Sequence, residues 1–150
     1  MGVRTKKLAH VIESFLPKIE FVYHPFEVFG KLGQKMKTLE AFSNGDFSRV
    51  QESLENLDIS PYKTILMGMP TYGNFPPKLF DEILVRMDNI QEKSFVLFST
   101  SLITGEGTIE YMNSELEARK GNVLARVNLQ RFFKIGKEPI LEFLETIAIS

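Results

Sequence analysis

The chain contains no cysteine. Disulfides, iron–sulfur ligation and thiol chemistry are excluded, and zinc would have only histidine and carboxylate ligands. Histidine is scarce as well: His10 and His24 are the only two, and they lack a metal-binding spacing to one another. Serines near the loops have no histidine base, so a Ser-His-Asp arrangement has no support. No apolar stretch reaches the length of a membrane span, and the N-terminus lacks the long apolar segment of a signal peptide. Net charge is close to nil, at −1, which implies neither nucleic acid nor an anionic membrane as partner. Lysines gather at Lys6, Lys7, Lys31, Lys35 and Lys37, but interleaved acidic residues make these solvated helix faces. Repeats and low-complexity tracts are absent. What is present is ordinary for one globular, cytoplasmic domain: 150 residues, 43% hydrophobic and 25% charged, enough to bury a proper core.

Periodicity predicts a helix over residues 5–16, with Leu8, Val11, Ile12 and Phe15 on one buried face and Pro17 ending it. Residues 19–26 alternate as a strand, and Pro25 removes a backbone donor, as suits a sheet edge. Residues 31–57 are polar and helical, broken at Asn44-Gly45, with Asp46 placed to cap the second piece. Residues 64–69 and 94–99 are continuous apolar runs of the kind found in central parallel strands. Between them a helix is expected over 76–87, opened by Pro76 and Pro77, with Leu79, Phe80, Ile83, Leu84 and Met87 inward. A loop over 100–107 leads to a helix over 108–119, stopped by Lys120-Gly121-Asn122. A strand over 123–130 turns Val123, Ala125, Val127 and Leu129 to one side, and a last helix begins near Glu138-Pro139. Alternating strands and helices predict an α/β fold in three layers, a parallel sheet with helices on both faces.

The run from Met69 to Lys78 (Met-Pro-Thr-Tyr-Gly-Asn-Phe-Pro-Pro-Lys) follows one of the apolar strands. The carboxyl end of a strand in an open α/β sheet is where ligands bind. A plain connection needs only a few polar residues. This one sets Tyr72 between Thr71 and Gly73, which suits a flat ring better than it suits a turn. Carboxylates such as Asp81 and Glu82, on the helix that follows, read as a solvated face.

With Pro70-Thr71-Tyr72-Gly73, the chain resembles the flavodoxin family. The order of elements matches from about residue 62 onward. The resemblance implies FMN as cofactor, its ring held by the loops 70–75 and 99–107. Tyr72 would stack on the flavin, with Pro70 in the same loop. Thr71, Gly73 and Asn74 would supply backbone contacts to the ring's edge. Ser99, Thr100, Ser101, Gly105 and Gly107 would form the second loop, with Leu102 or Ile103 against the ring's other side. Thr5 would match the last threonine of the phosphate loop, at a helix N-terminus, although an N-cap role explains the same residue.

Set against that family, Met1 stands inside the phosphate loop. The first strand and most of that loop are missing, so the chain reads as one N-terminally truncated flavodoxin-like domain over 1–150. Three lost phosphate hydrogen bonds, at roughly 1.5–3 kcal/mol each, would weaken binding by about 4–9 kcal/mol. The expected function is electron transfer by an FMN-binding, flavodoxin-like protein, serving redox partner proteins as a monomer or weak homodimer. The alternatives are an NAD(P)H-dependent flavin or quinone reductase on the same fold, or a remnant that no longer binds flavin.

Overall fold

A computed structural model describes residues 3–15, 32–101 and 104–130, together with helical residues 143 and 145. The strand expected over 19–26, the pair Leu102 and Ile103, and most of the residues of the last helix expected from near Glu138-Pro139 lie outside the described residues. In chain order the elements are α1 (Val3–Phe15), α2 (Leu32–Ser43), α3 (Gln51–Glu55), β1 (Thr64–Pro70), α4 (Leu79–Arg86), β2 (Ser94–Ser101), α5 (Glu106–Ala118) and β3 (Asn122–Gln130). Short 3₁₀ turns precede α3 (Ser48–Val50) and β2 (Ile90–Glu92). The break at Asn44-Gly45 falls where expected, with Gly45 in the left-handed region at φ +77°. Asp46 accepts a hydrogen bond from the Ser48 amide at 3.0 Å, a local turn of its own. It does not cap the second helical piece as expected, because the N-cap positions fall to Phe47 for the short 3₁₀ turn and to Val50 for α3.

Among the described residues three strands form a parallel sheet in the order β1-β2-β3. β2 lies between its neighbours, and every residue after Ser94 is buried along it. That is why its sequence is apolar on both faces rather than alternating. Phe95 and Leu97 join a large cluster with Phe42 of α2, Leu54 of α3, Phe80 and Ile83 of α4, and Met112 and Leu116 of α5. Val96 and Phe98 point the other way, to Leu8 and Ile12 of α1, Leu129 of β3 and Phe143. Helices therefore cover both faces of the sheet, as the three-layer pattern requires.

Several boundaries and faces differ from expectation, each for a physical reason. Helix α4 starts at Leu79, not at residue 76: Pro77 disfavours helical geometry at Pro76, and Lys78 becomes the N-cap residue. Strand β2 runs on through Thr100 and Ser101, because both pair with β3, at Leu129 and Gln130. Helix α5 starts two residues earlier than expected, at Glu106. A register shift opposite Phe95 and Val96 inserts Leu124 into β3. Such a bulge reverses the face of every later residue, so Val123 packs on the large cluster while Ala125, Val127 and Leu129 pack on the small one. In α1 the buried stripe is Thr5, Leu8 and Ile12, whereas Val11 is half-buried and Phe15 exposed. The stripe sits nearer the helix N-terminus because Thr5 itself docks on the sheet.

Candidate functional site

The end of β1 leads into a two-residue turn. Tyr72 and Phe75 exchange both backbone hydrogen bonds, at 2.8 and 3.2 Å. Between them Gly73 and Asn74 have φ of +57° and +74°. Two consecutive positive φ values make a type I′ turn, which glycine and asparagine tolerate best. The turn is tied to the sheet just before it, where the Thr71 amide donates to the Thr100 carbonyl at 3.0 Å. That N–H is therefore already engaged. Among the described residues the amides of Gly73 and Asn74, at the tip, donate to no backbone carbonyl. Both aromatic side chains of the turn remain accessible: Tyr72 is 42% exposed and Phe75 55%. Partial burial still raises the Tyr72 phenol above its ordinary pKa.

The first turn of α5 lies against this aromatic turn. The Gly107 amide donates to Asn74 Oδ1 at 3.2 Å. A Cβ on Gly107 would come within 2.6 Å of the Asn74 carbonyl oxygen, so only glycine permits the approach. One turn along α5, Tyr111 meets the Phe75 ring edge-on, with centroids 6.1 Å apart and planes at 87°. Tyr111 also packs edge-on against Phe80 at 6.0 Å. Its hydroxyl donates to Asp81 Oδ1 at 2.8 Å, and Asp81 Oδ2 receives Lys78 Nζ at 3.2 Å. Asp81 is thus a link between α4 and α5, not simply part of a solvated face. Glu82 beside it pairs with Arg86 on its own helix at 2.9 Å.

Burial, and then the hydrogen bond and charge of Asp81, push the Tyr111 phenol up to about 12 from its ordinary 10.0. The folded chain therefore favours neutral Tyr111. Its contribution to stability is complete below about pH 10, where the unfolded chain also keeps the proton, and is lost as pH rises toward 12. In an ultraviolet tyrosinate titration Tyr111 should give a step near 12, and Tyr111→Phe should abolish that step. A high step that survives the substitution would contradict the assignment.

Beneath the loops the end of the sheet is lined with hydroxyls. Ser99 Oγ donates to Asn128 Oδ1 at 2.8 Å, and Ser101 Oγ to the same oxygen at 3.3 Å. Gly105, the N-cap residue of α5, packs directly on the Asn128 amide. On the opposite face Thr5 Oγ1 and Thr100 Oγ1 are 2.8 Å apart and both side chains are buried. Thr5 is the third residue of α1, so the N-cap explanation fails; its hydroxyl pairs with the sheet. Two buried hydroxyls, Thr71 Oγ1 and Thr108 Oγ1, have no partner among the described residues. Buried polar atoms are rarely left so.

The residues expected from sequence therefore fall into three groups. Pro70, Thr71, Tyr72, Gly73, Asn74 and Gly107 come together where the aromatic turn meets α5. Thr5, Ser99, Thr100, Ser101 and Gly105 lie just below, the side chains of the first four turned inward and hydrogen-bonded. Leu102 lies outside the described residues. Sequence reasoning missed Asn128, Tyr111 and the linking role of Asp81. The only available signal was the four-residue spacing of Gly107 and Tyr111, which places them on one helix face. Nothing local ties Tyr111 to Asp81, 30 residues away.

No protein-family model matches the chain, and no curated protein matches it in sequence. Solved structures do resemble it. A flavoprotein from Lactobacillus acidophilus NCFM, crystallised in complex with FMN, aligns over 93% of this chain and 89% of its own, at 18% identity and a TM-score of 0.56. A protein from Bacteroides eggerthii DSM 20697, assigned as a flavoprotein, aligns over 97% and 91%, at 14% identity and a TM-score of 0.61. Another so assigned, from Bacteroides uniformis ATCC 8492, aligns over 94% and 90%, at 14% identity and a TM-score of 0.60. No helix among the described residues is long and apolar enough to cross a membrane. The likeness is one of architecture: the chain has the flavodoxin-like α/β fold, parallel strands in an open sheet with helices on both faces.

Proposed function

We propose that the chain binds FMN and takes part in one- or two-electron transfer, with the flavin ring at the aromatic turn 70–75 and the segment 99–107. The observation that carries this reading is the type I′ turn itself. It holds two accessible aromatic side chains at the carboxyl end of a parallel strand, pinned to the first turn of α5. The fold of a flavoprotein crystallised with FMN supports it.

The residues present fit the polar edge and flat face of such a ring. Tyr72 offers an accessible aromatic face, and Gly73 and Asn74 offer tip amides as donors. The Thr71 hydroxyl is a buried group without a partner among the described residues. The Thr71 amide is committed to Thr100, so the hydroxyl is the part of Thr71 best suited to a ligand. When bound, FMN supplies the electron chemistry; the protein binds the ring, shields one face and sets the local polarity. Redox partner proteins would approach the rim at Tyr72 and Phe75.

Titrating purified protein with FMN tests this reading. Quenched flavin fluorescence and a perturbed visible spectrum are expected, and Tyr72→Ala should weaken binding about tenfold through the lost aromatic contact. A protein that takes up no FMN refutes the proposal. Steady NADPH consumption with a quinone and no added reductase would move it to the reductase class.

A further inference from the structure

Two points on one face of α5 grip the aromatic turn. The Gly107 amide holds the tip through Asn74, and four residues on, Tyr111 holds Phe75 by an edge-on ring contact. Tyr111 is itself held from the far side. Its hydroxyl is bonded to Asp81 on α4, which Lys78 also contacts, and its ring packs edge-on against buried Phe80. A tyrosine fixed at both hydroxyl and ring is a rigid wall, whereas Phe75 is more than half exposed and has only this one ring contact among the described residues. Phe75 is the bridge partner of Tyr72. Opposite members of such a pair send their side chains to the same face, so the pose of one constrains the pose of the other.

We infer that Tyr111 is a positioning residue for the aromatic turn, acting through Phe75 to set the orientation of Tyr72. This rests on the flavin reading only in what Tyr72 is oriented to receive. The link runs from Asp81 on α4 through the Tyr111 hydroxyl and its edge-on ring contact to Phe75, and from Phe75 to Tyr72 through the backbone bridge that closes the turn. Its consequence is that the first loop is preorganised by helix packing, with the ordering entropy of the turn already spent before a ligand arrives.

Amide hydrogen exchange in the flavin-free protein tests the link directly, read at the Tyr72 and Phe75 amides that close the turn. An edge-on aromatic pair corresponds to about two- to tenfold, so Tyr111→Leu should speed exchange at both amides by that factor. Tyr111→Phe keeps the ring and should restore near-native exchange. The Leu97 amide in the middle of β2 should not respond, which separates loosening of the turn from general opening. Should Tyr111→Leu open the whole domain, Phe75→Leu, on the exposed side of the same contact, makes the same test and should speed the same two amides. FMN affinity then gives the second readout. Phe75→Leu and Tyr111→Leu should each weaken it by a similar factor, and the double variant should be no weaker than either alone.

Unchanged exchange at Tyr72 and Phe75 in these variants overturns the inference. Additive losses of FMN affinity overturn it too, since they would mean that Tyr111 acts independently of Phe75. A wild-type protein that binds no FMN refutes the flavin reading alone; the exchange measurement still decides the positioning role.

Discussion

Alanine at position 107 should weaken FMN binding at least about tenfold and lower the unfolding free energy by about 1–2 kcal/mol. Helix propensity points the other way: replacing a helical glycine with alanine is worth up to about 1 kcal/mol in an interior position. The opposing effect is steric. The new Cβ would fall 2.5 Å from the Asn74 side-chain nitrogen and 2.6 Å from its carbonyl oxygen. The amide group could rotate away, but the carbonyl belongs to a turn locked by the Tyr72–Phe75 bridge. The turn must therefore withdraw as a unit and give up the Gly107–Asn74 hydrogen bond, about 0.5–1.5 kcal/mol, on top of about 1–3 kcal/mol for overpacking. The sign of the stability change is the decisive measurement. Asn74→Gly is the control: it keeps the positive φ, removes the hydrogen bond and introduces no clash, so it should cost less than Gly107→Ala. A variant with alanine at 107 that melts higher than wild type and binds FMN equally well would show that α5 and the turn are not in this contact.

The larger loss of stability is expected at Gly68, in the middle of β1. Alanine there should cost about 3 kcal/mol, although glycine inside a strand is normally a weakness that a side chain would repair. A Cβ at this position would lie 2.1 and 2.2 Å from ring carbons of Phe98, the residue paired with Gly68 across the sheet. That ring has no room to retreat. Phe98 is buried among Leu8, Ile12, Val96, Leu129 and Phe143, so the strain would fall on the packing of α1 against the sheet. Overpacking of this kind runs to about 3 kcal/mol and occasionally beyond. Chemical denaturation measures it. The companion variant is Gly68→Ala with Phe98→Leu, whose cost should be well below the sum of the two single substitutions, because the smaller side chain vacates the space. Additive costs, or a neutral Gly68→Ala, would mean that the ring does not lie over the glycine.

Both glycines were visible in the sequence, and neither announced its partner. Gly68 interrupts an apolar run, and Gly107 precedes an expected helix. The first is there for a ring on the neighbouring strand and the second for a carbonyl on a loop 33 residues earlier. Element type was legible where period and composition agree: the apolar run of β2, the amphipathic pattern of α4, and the break at Asn44-Gly45. Boundaries were less so, since strand pairing drew Thr100 and Ser101 into β2 and consecutive prolines delayed α4. The face of β3 was misread because a bulge is one inserted residue, and alternation cannot show on which side of Leu124 the period restarts.

The candidate site divides in the same way. Local chemistry sufficed to locate the loop: Tyr72 beside Gly73 offers a flat face, and its place after an apolar strand puts it at the carboxyl end of a sheet. Those are properties of neighbouring residues, and neighbours are what a sequence records. The type I′ turn at Gly73 and Asn74 was not foreseen. The role of each polar side chain was decided by residues distant in the chain. Thr5 and Thr100 meet across 95 positions, Ser99 and Asn128 across 29, Tyr111 and Asp81 across 30. Such pairs exist because helices on both faces bring these positions together, and burial then requires each polar group to find a partner wherever one lies. The aromatic loop could be located from its own residues; the bridge that closes it, the wall that holds it, and the hydroxyls of Thr71 and Thr108 left without a partner among the described residues arise only when the chain is folded.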